Sequence, residues 1–249
     1  MSLPLAMVAG GCGRRRRVSH SGGANHGEGG QGDPGASPSL VEAPSARASA
    51  ANPKTIAADV LKSVLSVRAT GVRGRGAGSG FVIDDDGHVL TNAHIVKGAS
   101  AVTLGLPDGR TVSARVIGAE EAADLAVLRM STAGVAPADL GDGSDLRVGD
   151  SVLAVGAPLG LYGTVTAGIV AALKRTAALS RSGPRHEVIQ TDVVINSDNT
   201  GGPLTNSDGE VVGVNTMLTT PARLRDDTIG IGFAVPIDLA LEITQDLTG

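Results

Sequence analysis

Three short stretches hold the residues whose types and order could do chemistry. Thr91-Asn92-Ala93-His94 follows an apolar run, Asp124-Leu125-Ala126-Val127-Leu128 opens another, and Asp198-Asn199-Thr200-Gly201-Gly202-Pro203 comes last. A hydroxyl must lose its proton to attack a carbonyl, so Thr200 needs a nearby base. His94 suits that task because imidazole titrates near neutral pH. Asp124 would accept a hydrogen bond from the other ring nitrogen, fixing the tautomer and stabilising the imidazolium. The glycine-rich loop around Thr200 would aim backbone N–H groups at a developing oxyanion. Singly, each piece has a bland reading: a structural histidine, a turn-capping aspartate, an ordinary Thr-Gly-Gly-Pro turn. Together, in the order base, acid, hydroxyl, they point to nucleophilic acyl transfer.

The elements that must position these residues are short apolar runs cut by turns. They are Phe81–Ile83, His88–Leu90, Ala101–Leu106, Thr111–Val116, Asp124–Met130, Ser151–Val155, Gly163–Val170, Glu187–Val193, Glu210–Thr216 and Ile231–Val235. Many short strands at roughly 8–12 residue spacing predict an all-β barrel or sandwich. Before them, Ile56, Val60, Leu61, Val64 and Leu65 fall at helical spacing, and Ser66-Val67-Arg68 could open a strand. Pro236–Leu247 returns to helical spacing. The run Gly74–Gly80, "GRGAGSG", precedes a strand rather than a helix N-terminus, so it fails the context of a phosphate loop and reads as a flexible turn.

Composition narrows the rest. Of 249 residues 41% are hydrophobic, but the aromatics are only Phe81, Tyr162 and Phe233, so the core must be Val, Leu, Ile and Ala. A net charge of −4 gives no reason to expect nucleic acid, and the one strongly basic run, Arg14–Arg17, falls outside the part expected to fold. Cys12 is the single cysteine, which excludes an internal disulfide. The five histidines and this cysteine form no metal-ligand spacing, so neither metal nor cofactor is expected. Residues 1–12 end in Ala-Gly-Gly-Cys after a short apolar run. Two readings stay open there: a signal or lipobox remnant that tethers the chain to a membrane, or a plain terminus with a free thiol. Residues 13–53 have the Gly/Ser/Ala/Pro-rich composition of a disordered tail or linker.

From about Ile56 to Leu247 the sequence resembles the HtrA/Deg group of trypsin-like serine proteases. The stretches "GSGFVIDDDGHVLTNAHIV", "DLAVLR", "LRVGDSVLAVGAPLGL", "TVTAGIVAALKR", "IQTDVVINSDNTGGPL", "GEVVGVNT" and "GIGFAVPID" carry the resemblance. It implies a chymotrypsin-like double six-stranded β-barrel over 54–249, with a short N-terminal helix. Barrel 1 is expected near 66–147, barrel 2 near 148–236 and a C-terminal helix near 237–247. It implies that His94 is the general base, Asp124 its orienting acid and Thr200 the residue at the nucleophile position. Asp198, Asn199 and Thr200 would present the oxyanion loop. Val194, Ile195, Ser197, Asn215, Thr216, Met217 and Ile231 would bind substrate, with a preference for small or medium aliphatic side chains. A PDZ domain is not expected, and trimerisation through N-terminal aromatics is unsupported.

Two positions depart from the family pattern. Thr200 stands where the family has serine, and β-branching restricts its χ1. Asp198 stands where the family has glycine, placing a Cβ and a carboxylate beside the oxyanion. Ser197 also replaces a proline. The expectation is an extracytoplasmic endopeptidase of unfolded or extended polypeptide with weak turnover; the alternative is a pseudoprotease that binds peptide or protein without cutting it.

Overall fold

The structure is a computed structural model that describes residues 52–72, 74–131, 134–157, 163–180, 183–217 and 231–249. The segments expected to be a signal or lipobox remnant with Cys12 (1–12) and a tail or linker (13–53, nearly all of it) lie outside the described residues.

Helix α1, Pro53–Val60, is capped by Asn52, whose side chain accepts from the Lys54 N–H, and Pro53 sits in the first turn. The turn at 61–63 ends it, closed by the Ser63 hydroxyl donating to Val60 O at 2.8 Å. Strand β1 then runs Val64–Gly71. Val64 and Leu65, read from sequence as helical, are therefore strand residues, and the physical reason is pairing. β1 is zipped antiparallel to β2, Gly74–Val82, on one side and to β4, Ala99–Gly105, on the other. The glycine-rich run read as a flexible turn is most of β2. Its glycines permit close approach: a Cβ on Gly76 would run into Ile95 O, and one on Gly78 into the Ile95 side chain.

Strands β3 (His88–Thr91), β5 (Thr111–Glu120) and β6 (Leu125–Met130) complete the first closed barrel, ordered β1-β2-β3-β6-β5-β4. A single helical turn, α2 (Ala93–Val96), leaves β3. Strands β7 (Ser151–Gly156), β8 (Thr164–Ala178), β9 (Arg185–Thr191), β10 (Pro203–Thr205), β11 (Val211–Thr216) and β12 (Gly232–Pro236) close the second, ordered β10-β11-β12-β9-β8-β7. Helix α3, Ile237–Thr248, follows. The expected double six-stranded barrel with a C-terminal helix is what the chain forms.

Three apolar clusters hold it. Leu65, Val67, Val89, Leu104, Ala126 and Leu128 fill barrel 1. Val152, Ala154, Val170, Ile189, Leu204 and Val212 fill barrel 2. The third lies between them: Phe81, Leu90, Leu125 and Val127 from barrel 1 meet Val155, Val188, Val214 and Val235 from barrel 2, with Ile56 and Val60 of α1 and Ile237 of α3. Strands that serve two cores are buried on both faces, which is why β11 reads as an uninterrupted buried run, Val211–Thr216. That shared core fixes the faces carrying His94, Asp124 and Thr200 relative to one another.

Candidate active site

His94 is presented by α2, directly after β3. Its ring Nδ1 lies 3.0 and 2.9 Å from Asp124 Oδ1 and Oδ2, and its backbone N–H donates to Oδ1 at 3.0 Å. With the carboxylate ionised, Nδ1 carries the proton and Nε2 keeps its lone pair. The His94 side chain is 44% exposed and Asp124 only 7%, so the base faces solvent while its anchor is buried. Asp124 adopts a left-handed backbone at φ 54°, a conformation that aspartate tolerates better than most residues. Its second oxygen accepts from the Thr216 hydroxyl at 2.9 Å, and its carbonyl accepts from Asn92 Nδ2 at 3.0 Å and from the Ala93 N–H at 3.2 Å. The carboxylate is thus held from both barrels, which fixes the ring it orients.

Thr200 comes to the same floor but turns away from the base. Its Oγ1 donates to Asn92 Oδ1 at 2.8 Å, and the residue is 1% exposed. Among the described residues no hydrogen bond joins it to the His94 ring. An amide oxygen is no base, so the hydroxyl cannot be activated in this rotamer. Thr200 O accepts from the Ser79 N–H at 2.9 Å, and its own N–H is bonded to Asn196 O at 3.0 Å.

The loop expected to face an oxyanion is tightly tied. The Asp198 N–H donates to Asn196 Oδ1 at 2.8 Å, so the two expected donors, at 198 and 200, are both engaged by Asn196. Asn199 is fully buried, its amide bonded to Val194 O. Ser79 Oγ donates to Asp198 O at 2.6 Å and accepts from the Ala157 N–H at 2.9 Å, pinning the loop to barrel 1. Gly201 needs its φ of 79° to make the turn, and a Cβ there would meet Ser79 O and the Thr91 hydroxyl.

The expected substrate-binding residues divide in two. Val194, Met217 and Ile231 are exposed, Ser197 is exposed and Ile195 half-buried, an arrangement that leaves apolar surface beside the loop. Asn215 and Thr216 are buried and their side chains do other work. Asn215 Nδ2 donates to Asn199 O and Pro203 O, clamping the loop, while Thr216 braces Asp124. Each finds a polar partner inside the protein because β11 is buried along its whole length. Sequence reasoning also missed Asn92 and Ser79. The polar residues inside the otherwise apolar or glycine-rich stretches Thr91–Val96 and Gly78–Val82 were the available signal.

A trypsin-like peptidase domain model matches residues 78–214, more than half of the chain and all three of these side chains. The chain belongs to that family. Its relatives are HtrA/Deg proteases. It is 43% identical over 180 residues to the serine protease Do-like HtrA of Bacillus subtilis, covering 69% of this chain and 39% of that one. It is 38% identical over 234 residues to the serine protease PepD of Mycobacterium tuberculosis, covering 87% and 50%. A DegP-like chain of Halomonas elongata, named as a periplasmic serine endoprotease, is 43% identical over 173 residues, covering 70% and 35%. The chain thus spans half or less of the length of these relatives. Among solved structures, the HtrA-type protease AlgW with a tripeptide superposes with a TM-score of 0.69 at 32% identity, covering 80% of this chain and 64% of that one.

Proposed function

We propose that this domain is an HtrA-type endopeptidase of extended polypeptide, working outside the cytoplasm, whose resting state holds its hydroxyl off the base. The observation that carries the reading is the Asp124–His94 pair, braced by Thr216 and with no hydrogen bond to Nε2 among the described residues. In turnover Thr200 Oγ1 leaves Asn92 and gives its proton to His94 Nε2 as it attacks the peptide carbonyl. His94 then returns that proton to the departing amine. Water, deprotonated by His94, cleaves the resulting threonyl ester and regenerates the hydroxyl. The oxyanion needs an N–H from 198 or 200, so the loop must also release Asn196. Two rearrangements before chemistry support slow turnover.

The periplasmic naming of relatives supports the location. Among the described residues no helix is long and apolar enough to cross a membrane. The peptide held by AlgW supports polypeptide as the ligand.

A second reading, a peptide-binding pseudoprotease, is favoured by the Thr200–Asn92 bond and by the engaged N–H groups of 198 and 200. One experiment separates the two. An unfolded protein is incubated with the chain, with His94→Ala, and with a Thr200→Ser/Asp198→Gly double variant. Cleavage by the native chain that vanishes in His94→Ala supports the endopeptidase. Cleavage by the double variant alone supports the pseudoprotease.

A further inference from the structure

His94 stands between two hollows of opposite character. One, about 500 Å³, is shared by both barrels and walled by Glu120, Glu121, Asp124, Leu179 and Ser180, with Lys97 lining both hollows, so its carboxylates outnumber its cations. The other, about 140 Å³, is built from barrel 1 alone: Thr70, Gly71, Gly74, Arg75, Gly76 and Lys97 beside His94. Its floor is glycine, so Arg75 and Lys97 are its long side chains. It contains no carboxylate among its lining residues. Lys97 reaches across to Glu121 in an ion pair. The Arg75 side chain is exposed and makes no ion pair or hydrogen bond among the described residues.

The proton path says which part of a bound polypeptide lies in the cationic hollow. The carbonyl side must follow the loop that carries Thr200 and the 198 and 200 N–H groups, and that loop belongs to barrel 2. His94 must reach the departing amine, so the chain beyond that nitrogen continues past the ring, over barrel 1. The hollow holding only barrel 1 residues lies on that departing side. We propose that Arg75, backed by Lys97, selects polypeptides with a carboxylate one or two residues after the bond facing His94. The inference rests on the polypeptide-binding reading above and adds to it a substrate class.

An exposed ion pair is worth roughly 1.5- to 5-fold in affinity, and a like-charge contact works against binding by a similar factor. An acidic peptide should therefore bind about 2- to 25-fold more tightly than its basic counterpart at low ionic strength, with the gap narrowing as salt screens it. The test measures fluorescence anisotropy of labelled ten-residue peptides on the full chain. All share one acyl half ending in valine and one uncleavable reduced bond, followed by Asp-Asp, Ser-Ser or Lys-Lys. The expected order is Asp-Asp, then Ser-Ser, then Lys-Lys, reversed in Arg75→Glu and unchanged in Lys62→Glu, a distant surface lysine paired with Asp59. If Arg75→Glu does not fold, Arg75→Gln should flatten the order instead. Equal binding of the three peptides, or a preference that survives the Arg75 variants, overturns the inference and leaves the polypeptide-binding reading standing. Failure of every peptide to bind overturns both.

Discussion

Asn92→Ala should make Thr200 more reactive, although it removes a buried polar side chain from the floor of the site. In the native chain the hydroxyl can turn to His94 only by leaving Asn92 Oδ1, which among the described residues accepts a hydrogen bond from Thr200 alone. Asn92 is fully buried, so that oxygen would be stranded without water. An unsatisfied buried acceptor costs about 1–3 kcal/mol, and each 1.36 kcal/mol is tenfold in population or rate. The attacking rotamer is thus disfavoured by roughly 5- to 150-fold on this account alone. Alanine abolishes that penalty. The Asp124 carbonyl loses its bond from Asn92 but keeps the one from the Ala93 N–H, so the acid stays placed. The assay is the rate of labelling by a fluorophosphonate, followed by intact mass and mapped to Thr200, with His94→Ala as the zero. Labelling should rise in Asn92→Ala by a factor within that range. An unchanged or slower rate, in a variant that melts cooperatively, would refute the reasoning that Asn92 restrains the nucleophile.

Three further outcomes follow from the geometry. Thr216→Val deletes the hydroxyl donated to Asp124 Oδ2; hydrogen bonds to charged groups are worth about 1.5–3 kcal/mol, so labelling of Thr200 should fall roughly 10- to 100-fold, and a change below twofold would show that Asp124 needs no brace. Gly201→Ala places a Cβ at φ 79° against Ser79 O; left-handed backbone and overpacking together should cost about 2–5 kcal/mol in urea unfolding, whereas a cost under 1 kcal/mol would mean that the loop readily relaxes. Asp84 sits against His88, with Nδ1 to Oδ2 at 2.6 Å and the His88 N–H on Oδ1 at 3.0 Å. Burial raises its pKa, but these bonds and the His88 charge outweigh it and hold the carboxyl below its ordinary value. A folded pKa below the unfolded one stabilises above the unfolded value, near 4, and that contribution is lost as pH falls through the folded one. Stability curves of the native chain and Asp84→Asn should therefore be separated at neutral pH and converge in acid; parallel curves would remove Asp84 from the acid response.

The strands around His94 and Asp124 were legible because apolar runs bounded by turns are what two-sided burial requires. The nearness of His94 and Asp124 was legible because the order histidine, aspartate, hydroxyl on such strands suggests one constellation, and the fold puts that pair in contact. Val64 and Leu65 misled because their spacing from Ile56 and Val60 fits a helix, while pairing with Phe81 and Gly80 across β1–β2 decides the matter. Local periodicity carries no record of a partner strand. Gly74–Gly80 misled for the opposite reason. A run with glycine at every second position gives no apolar alternation and hence no strand signal, yet Gly76 and Gly78 are in β2, where α2 and the Thr200 loop press on them. Asn215 and Thr216 were expected at the substrate; the fold gives their side chains to Asn199 O, Pro203 O and Asp124, and full burial of β11 erases the alternation by which its two faces could be told apart.

The direction in which Thr200 points was not legible at all, because its partner is 108 residues away. Sequence gives the methyl and the restricted rotamer; only the fold supplies Asn92 as the competing acceptor. The same holds for Asp198. Its side chain drew attention, but its N–H is taken by Asn196 and its carbonyl by Ser79, so the loop is held through the backbone at both ends of that residue. The two departures therefore act on one rigid unit. Thr200→Ser frees the hydroxyl's rotamer but leaves the 198 N–H on Asn196. Asp198→Gly loosens the loop but leaves the methyl in place. Groups that act as a unit do not contribute additively, so either reversal alone should recover little, and the double variant more than the product of the two.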